Sequence, residues 1–397
     1  VYYFRSIFKK IIVMKIKFLP SYLFVFCVSL FLTSCSDDDD AVQNIVTPPT
    51  DYTFERSGVS TVSFTGQTAR LQMASQLYSG MKDKTKTKTE LTAMFKDGTG
   101  FSDAKLNSSG KKVRSKTFST STGHSATLVT TFDGWIDDFA ANVIPKMDSA
   151  DDTKKAANGT AGWMTDSKRT VYINAKGHEL VQLFTKGLIG GLACDQIVNG
   201  YLSKSKLDTG TNIADNDAGT LVSGKNYTQM EHYWDEGFGY LYGEEGDYKN
   251  PTLGDGVLLS KYAKKVNDTN SQGIAKIIYD AFVMGRAAIV AKNYTVRDAQ
   301  AKIIQMHVSK IIGHKAVDYL NDYVTKAAAG TPADAIHALS EGYGFIMSLQ
   351  ATNDGTGKPY FTASEVNTML AKIDNFWTVS SADCTAMAND IKTKMNL

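Results

Sequence analysis

The stretch Glu231-His232-Tyr233-Trp234-Asp235-Glu236-Gly237-Phe238-Gly239-Tyr240 is answered 105 residues later by Ile336-His337-Ala338-Leu339-Ser340-Glu341-Gly342-Tyr343-Gly344-Phe345. Both read His-x-x-x-Glu-Gly-aromatic-Gly-aromatic. Residues four apart share one face of an α-helix, so each segment stacks an imidazole over a carboxylate. Glycine is costly inside a helix. Its expected use beside the glutamates is close approach of a partner helix, which would bring the two copies near each other. A weaker upstream match sets Ile189-Gly190 through Asp195 against Ile312-Gly313 through Asp318 with an offset of 123, so the first copy would carry about 18 more residues. An internal repeat of this kind predicts two related helical units packed face to face. A chance match is the alternative.

Outward from this repeat, helical periodicity dominates. It covers about 67–81, 125–144, 175–203, 226–242, 272–292, 296–326, 332–350, 363–378 and 382–394. Start signals accompany several of these: Thr295 with Asp298, Thr362 with Glu365, and Thr331 before Pro332 and Asp334. A cap hydroxyl satisfies an orphan amide, an acid three residues on reciprocates, and proline suits the first helical position. Gly-, Asn- and Asp-rich gaps near 205–225 and 243–257 separate helices. Residues 50–66 are the most strand-like and predict an irregular segment or short hairpin, while the Lys/Thr alternation at 82–89 is a solvated turn. Residues 97–123, rich in Gly, Ser, Asn and Lys, read as a long surface excursion. The expected fold class is all-α, two pseudo-symmetric bundles after a short β-like segment. The first bundle covers 50–225 and the second 226–397, with the boundary somewhere in 225–270.

The start of the chain carries a different signal. Arg5, Lys9, Lys10, Lys15 and Lys17 precede an apolar run from Phe18 to Leu32, which ends at Thr33-Ser34-Cys35 and four aspartates, Asp37–Asp40. A basic region, an apolar core and small residues at a cleavage point are what a secretory signal needs. Leu32-Thr33-Ser34-Cys35 resembles a lipobox, with Cys35 as the lipidated residue. Residues 1–34 are thus expected to be a signal peptide, whose true start is Met14 in one reading, and 35–49 a flexible tether. A transmembrane anchor is the competing reading, for which the run is short. Without the signal, 38 basic residues face 41 acidic ones. No basic block suggests nucleic acid as a partner. Cys194 and Cys384 remain beyond Cys35 and allow one disulfide at most.

Imidazole nitrogen and carboxylate oxygen suit zinc or iron, so His232, Glu236, His337 and Glu341 are candidate metal ligands. The competing reading is a hydrogen-bonded pair that supports its helix. Neither segment is the His-Glu-x-x-His zincin motif. His178 and Gln182 are expected to share a face of the long 175–203 helix, which also carries Lys186 and Asp195. Asp195 is equally a buried partner for an amide or for Lys186. Trp234 beside His232 could line a pocket or anchor the core. His124, His307 and His314 read as cap, surface or core-edge residues. No phosphate-binding loop and no Ser/His/acid or Cys/His set can be assembled.

Gly177-His178-Glu179, the Asp195-Gln196 helix and the string His232 to Tyr240 together resemble an imelysin-related group of Bacteroidetes lipoproteins, domain-of-unknown-function family 4856. The likeness runs from about residue 50 onward. It implies an imelysin-like fold of two related bundles with a site between them, and an association with bacterial iron uptake. The wider imelysin group, first described as metallopeptidases, carries Gly-x-His-x-x-Glu. Here Met230 stands at the glycine position, Asp235 lies three residues after His232, and Glu236 one later. His178, with Gly177 directly before it and Val181 three after, does not restore the pattern. Only His232 with Asp235 or Glu236 carries over; His337 and Glu341 come from the internal repeat.

The leading expectation is a non-catalytic outer-membrane lipoprotein, accessory to uptake. It would bind a metal ion, iron favoured and zinc next, or a small ligand, through His232, Asp235, Glu236, His337, Glu341, His178, Gln182, Asp195 and Trp234. Its partners are the membrane, through lipid on Cys35, and envelope uptake or surface proteins. The cell-surface face is expected, with the periplasmic face as the alternative. A structural or protein-interaction lipoprotein using 97–123 is the second reading. A metallopeptidase-like hydrolase, which would need an open metal position and a base, is the third.

Overall fold

Periodicity near 3.6 residues governs the chain, and helices result. The computed structural model describes residues 45–120 and 125–397. The segment expected to be a signal peptide, Cys35, the acidic run and His124 lie outside the described residues. A small hairpin, β1 (Glu55–Arg56) and β2 (Val59–Ser60), precedes α1 (Thr65–Gly80). Short helices α2 (Lys88–Thr92) and α3 (Ala104–Ser108) lead to α4 (Ser125–Asp138). A second antiparallel hairpin, β3 (Gly162–Thr165) with β4 (Thr170–Ile173), comes before α5 (Leu180–Leu188). The chain continues as two π-helical stretches, Ile189–Cys194 and Gln196–Tyr201. Then follow α6 (Lys204–Leu207), α7 (Asn212–Ala218), α8 (Gln229–Tyr242), α9 (Leu259–Thr269) and α10 (Ile274–Val290). The last four are α11 (Tyr294–Ala328), α12 (Pro332–Ser348), α13 (Ala363–Lys372) and α14 (Ser381–Met395). The fold is predominantly α-helical with a short N-terminal hairpin, as the sequence indicates.

Local chemistry sets the helix starts. Thr362 and Glu365 form a capping box, and so do Thr228 and Glu231 at α8, where the Glu231 carboxylate accepts from the Thr228 amide at 2.7 Å. Thr295 is not the cap of α11: the cap is Asn293, two residues earlier, whose side chain accepts from the Val296 amide at 3.1 Å. Pro332 takes the first position of α12, but Thr331 makes no side-chain cap there. Asp334 instead pairs with Arg169 at 2.6 Å.

Gln43–Leu397 forms one compact unit. Its spine is α11, whose 35 residues span about 50 Å. Helices α10, α12 and α14 pack along it, α12 also lies on α5, and α8 packs on α1, α10 and the Gln196–Tyr201 stretch. Because α5 and α12 come from either side of the 225–270 region, the two expected halves interlock there. Residues 101–118 of the expected surface excursion are anchored to the core: Phe101, Leu106, Val113 and Phe118 are buried, the polar residues between them are largely exposed, and the Phe118 amide donates to Gly191 at 2.7 Å. Four apolar residues scattered among Gly, Ser and Lys show no period, so only the tertiary fold reveals their burial. Residues 205–225, expected to be a gap, carry α6 and α7. Cys194 and Cys384 are both buried free thiols. No described helix is long and apolar enough to cross a membrane.

Candidate functional site

The repeated glycines are used alike. A Cβ on Gly237 would meet Leu202 at 3.0 Å and then Tyr201, and one on Gly342 would meet Tyr319 at 3.3 Å and then Leu320. A Cβ on Gly239 would run into Phe64 and Gln67, and one on Gly344 into Lys186 and the backbone of Leu183 and Gly187. Tyr201 stacks on Tyr240 at 6.0 Å between centroids, and Tyr319 on Phe345 at 5.6 Å. Two helical triplets therefore share one design: α1, Gln196–Tyr201 and α8; then α5, α11 and α12. The glycines admit the other helices of their own triplet, and do not bring His232 against His337. The upstream match is not equivalent in space, since Gly190 meets Ser348 and Gly313 meets Met395. The tyrosines correspond at an offset of 118, not 123.

Each triplet places a polar side chain of its first helix against the glutamate. In the second module, Lys186 Nζ lies 3.0 Å from Glu341 and donates to Gln182 at 2.9 Å. His337 Nδ1 is 2.6 Å from Glu179, and its Nε2 is 3.6 Å from Glu341. Burial alone would raise the Glu341 carboxyl, but Lys186 and His337 hold it below the usual carboxylate range. In the first module the residue at the place of Lys186 is Gln67, whose amide donates to Glu236 at 2.8 Å. His232 Nε2 is 3.9 Å from Glu236, too far for a hydrogen bond, and its ring stacks on Tyr227 at 4.5 Å. Burial pushes the His232 imidazole below its ordinary value, against the pull of Glu236, so it is neutral at pH 7. Lys116 donates to the Tyr201 hydroxyl at 3.2 Å.

A family model described as a domain of unknown function (DUF4856) matches residues 49–397. The chain belongs to that family. No curated protein and no solved structure matches it.

The remaining candidates of the DUF4856 domain face elsewhere. Asp235 turns from Glu236 into the core, where Arg286 Nε lies at 3.1 Å, the Tyr52 hydroxyl donates at 2.8 Å and the Ser63 amide at 3.0 Å. Trp234 is fully buried and donates to the Phe282 carbonyl at 3.0 Å, so it anchors the core. Helix α5 starts at Leu180, one turn later than expected, so His178 and Gln182 share no helical face. His178 Nε2 contacts the Asp374 carbonyl at 2.9 Å, and burial drives its imidazole down to about 4. Asp195 accepts from the Thr120 amide at 3.0 Å and from Asn199 at 3.1 Å; Lys186 goes to Glu341 instead.

Among the described residues no group of three or more His, Cys, Asp or Glu side chains is arranged to hold a metal. The side chains explain why. In the second module a cation at Glu341 would meet the Lys186 ammonium, and both His337 nitrogens face carboxylates. In the first, His232 and Glu236 are two such donors, with no third His, Cys, Asp or Glu grouped with them among the described residues. Neither module fits iron or zinc as arranged. Two cavities lie away from both: one of about 890 Å³ beside Asp51, Tyr242 and Tyr279, another of about 520 Å³ beside Asn199, Gln305 and Asn353. Sequence reading missed Arg70, Lys116, Tyr201, Glu179, Tyr319 and Arg286. Arg286 alone carried a signal, a cation inside the apolar run Ile274–Val290.

Proposed function

We propose that this DUF4856 domain is the binding part of an exported lipoprotein, tethered to the outer membrane through lipid on Cys35. In this reading it holds a small ligand without converting it, accessory to uptake, at the module around His232 and Glu236. The carrying observation is the divergence of two copies of one design. The second module neutralises its own charges through Lys186–Glu341 and Glu179–His337, which suits a structural role. The first leaves His232 and Glu236 half-buried, with the Gln67 amide and the Tyr201 hydroxyl on the carboxylate and no lysine or arginine within 4.0 Å of it among the described residues, which suits a group arriving from solvent. The tether rests on the Leu32–Cys35 lipobox and the acidic run after it.

The test is a melting screen of residues 43–397 against small metabolites and, in parallel, iron and zinc salts. A ligand at a hundred times its Kd stabilises the domain by about 2.7 kcal/mol. The expected result is stabilisation by an organic ligand that disappears in Glu236→Ala and survives in His337→Ala. Stoichiometric metal binding lost in His337→Ala would replace this reading with the metal one. Stabilisation by nothing of either kind would refute both.

A further inference from the structure

Buried cations in this protein come with carboxylates, with one exception. Arg286 has Glu231 at 3.0 Å and Asp235 at 3.1 Å, and Arg297 has Asp298 at 2.6 Å and Asp208 at 2.8 Å. The buried lysines follow the same rule: Lys186 has Glu341 at 3.0 Å and Lys315 has Asp318 at 2.8 Å. Arg70, 8 % exposed, has no carboxylate within 4.0 Å among the described residues. Its guanidinium reaches two peptide carbonyls at the edge of hydrogen bonding, Lys112 at 3.3 Å and Gly66 at 3.4 Å, and the neutral Tyr240 hydroxyl. A guanidinium removed from water without a counter-charge is costly, and the other four sites show how this fold usually meets that cost.

Arg70 does not stand alone. It belongs to the first module, where Lys116 meets Tyr201 and the ammonium of Lys206 lies 4.1 Å from the Tyr233 ring centroid. Burial, and then the charges of Arg70, Lys206 and Lys111, hold the Lys116 ammonium below the usual lysine range, with Glu236 opposing. Lys111, Lys116 and Lys206 also have no carboxylate within 4.0 Å among the described residues. Four cations from three parts of the chain thus act on one another around Lys116, and the carboxylate that acts on Lys116 is Glu236. That carboxylate is already occupied by Gln67 at 2.8 Å.

Resting on the binding reading above, we infer that the first module is a site for a small oxyanion-bearing molecule, a carboxylate or phosphate, held by Arg70 and Lys116 with Lys111 and Lys206 at its mouth. The planar guanidinium fork matches either group bidentately, and lysine adds a point charge. The Tyr201 hydroxyl, which accepts from Lys116 and donates to Glu236, positions both, and Glu236 accepts from hydroxyls on the ligand's carbon frame. The second module cannot take an anion this way, because Glu179 and Glu341 already engage its cations.

The experiment is calorimetric titration of residues 43–397 with inorganic phosphate and, separately, citrate, at fixed ionic strength set by sodium chloride. Lys116→Met and Arg70→Gln are the test variants, and Lys392→Met on the exposed face of α14 is the charge control. Saturable binding of either anion is expected, weakened roughly tenfold to a hundredfold in each test variant and unchanged in the control. Which anion binds tells a phosphate ligand from a carboxylate one. If Arg70→Gln does not fold, judged by circular dichroism, the half-buried Lys116→Met decides alone. Two results overturn the inference: no saturation by about 10 mM of either anion, or equal binding by wild type and Lys116→Met. A neutral metabolite that binds and depends on Glu236, with neither anion binding, would sink the anion site and leave the binding function standing.

Discussion

Replacing Arg286 by methionine tests the charge logic of the core most directly. The guanidinium is fully buried between Glu231 and Asp235 and donates to the Thr61 hydroxyl at 2.9 Å. Methionine fills much of the same volume, so little of the loss comes from packing. Glu231 keeps Arg56 at 3.1 Å, but Asp235 is left with only the Tyr52 hydroxyl and the Ser63 amide. Removing one partner of a buried pair costs about 3–5 kcal/mol, and that is the expected loss at pH 7.5. The loss depends on pH in a defined direction. Burial already lifts the Asp235 carboxyl to about 6 in spite of Arg286, and without Arg286 it rises further. A carboxyl raised in the folded state takes up its proton there more readily than in the unfolded chain. Its stability contribution is therefore fully present below the unfolded value near 4 and is lost as pH rises through the folded one. At pH 5 Asp235 is mostly protonated in both proteins, so the variant's deficit shrinks. Urea unfolding midpoints of residues 43–397 at pH 5 and pH 7.5 measure this. A deficit under about 1 kcal/mol at pH 7.5, or one that grows on going to pH 5, would refute the reasoning.

Two further perturbations use the same assay. Gly344→Ala should cost about 1–3 kcal/mol, because its Cβ would sit 2.5 Å from that of Lys186 and 2.8 Å from the Gly187 amide. Gly134→Ala, on α4 with nothing within 4 Å of the added carbon, should instead stabilise by about 0.5–1 kcal/mol. Equal effects at the two positions would show that helix propensity, not close packing, sets the cost. His178 is neutral in the fold and titrates only near about 4, so the protein should lose stability as pH falls from about 6.5 through 4. That part of the acid limb, on the order of 3 kcal/mol in full, should flatten in His178→Gln, and an unchanged slope would refute the assignment.

The repeat around His232 and His337 was legible because its spacing equals one helical turn and its glycines stand where a helix does not favour them. Capping chemistry placed α13, and Pro332 the start of α12, since the hydroxyl, acid and proline act on their own backbone. The same local logic failed for Thr295, where Asn293 offered an equally good cap two residues earlier. It also missed the β3–β4 hairpin, whose four-residue strands are too short for alternation to stand out.

The candidate site was legible only in part. His232 and Glu236 could be paired from spacing alone, but Gln67, Arg70, Lys116 and Tyr201 reach them from segments far apart in the chain. Charge in a sequence is a sum, and a near-neutral sum hides that Arg286 has two carboxylates and Arg70 none.

The sequence by itself determined the helical class, the duplicated His-x-x-x-Glu design and the glycines that make it possible, because each depends on neighbours a few residues away. The tertiary structure alone decided that the apolar residues of the strap at 101–118 are buried, that Asp235 and Glu236 serve different sides of α8, and that the two modules differ in charge. Those properties follow from which distant side chains share a low-dielectric interior, where a missing counter-charge matters far more than it does along an unfolded chain.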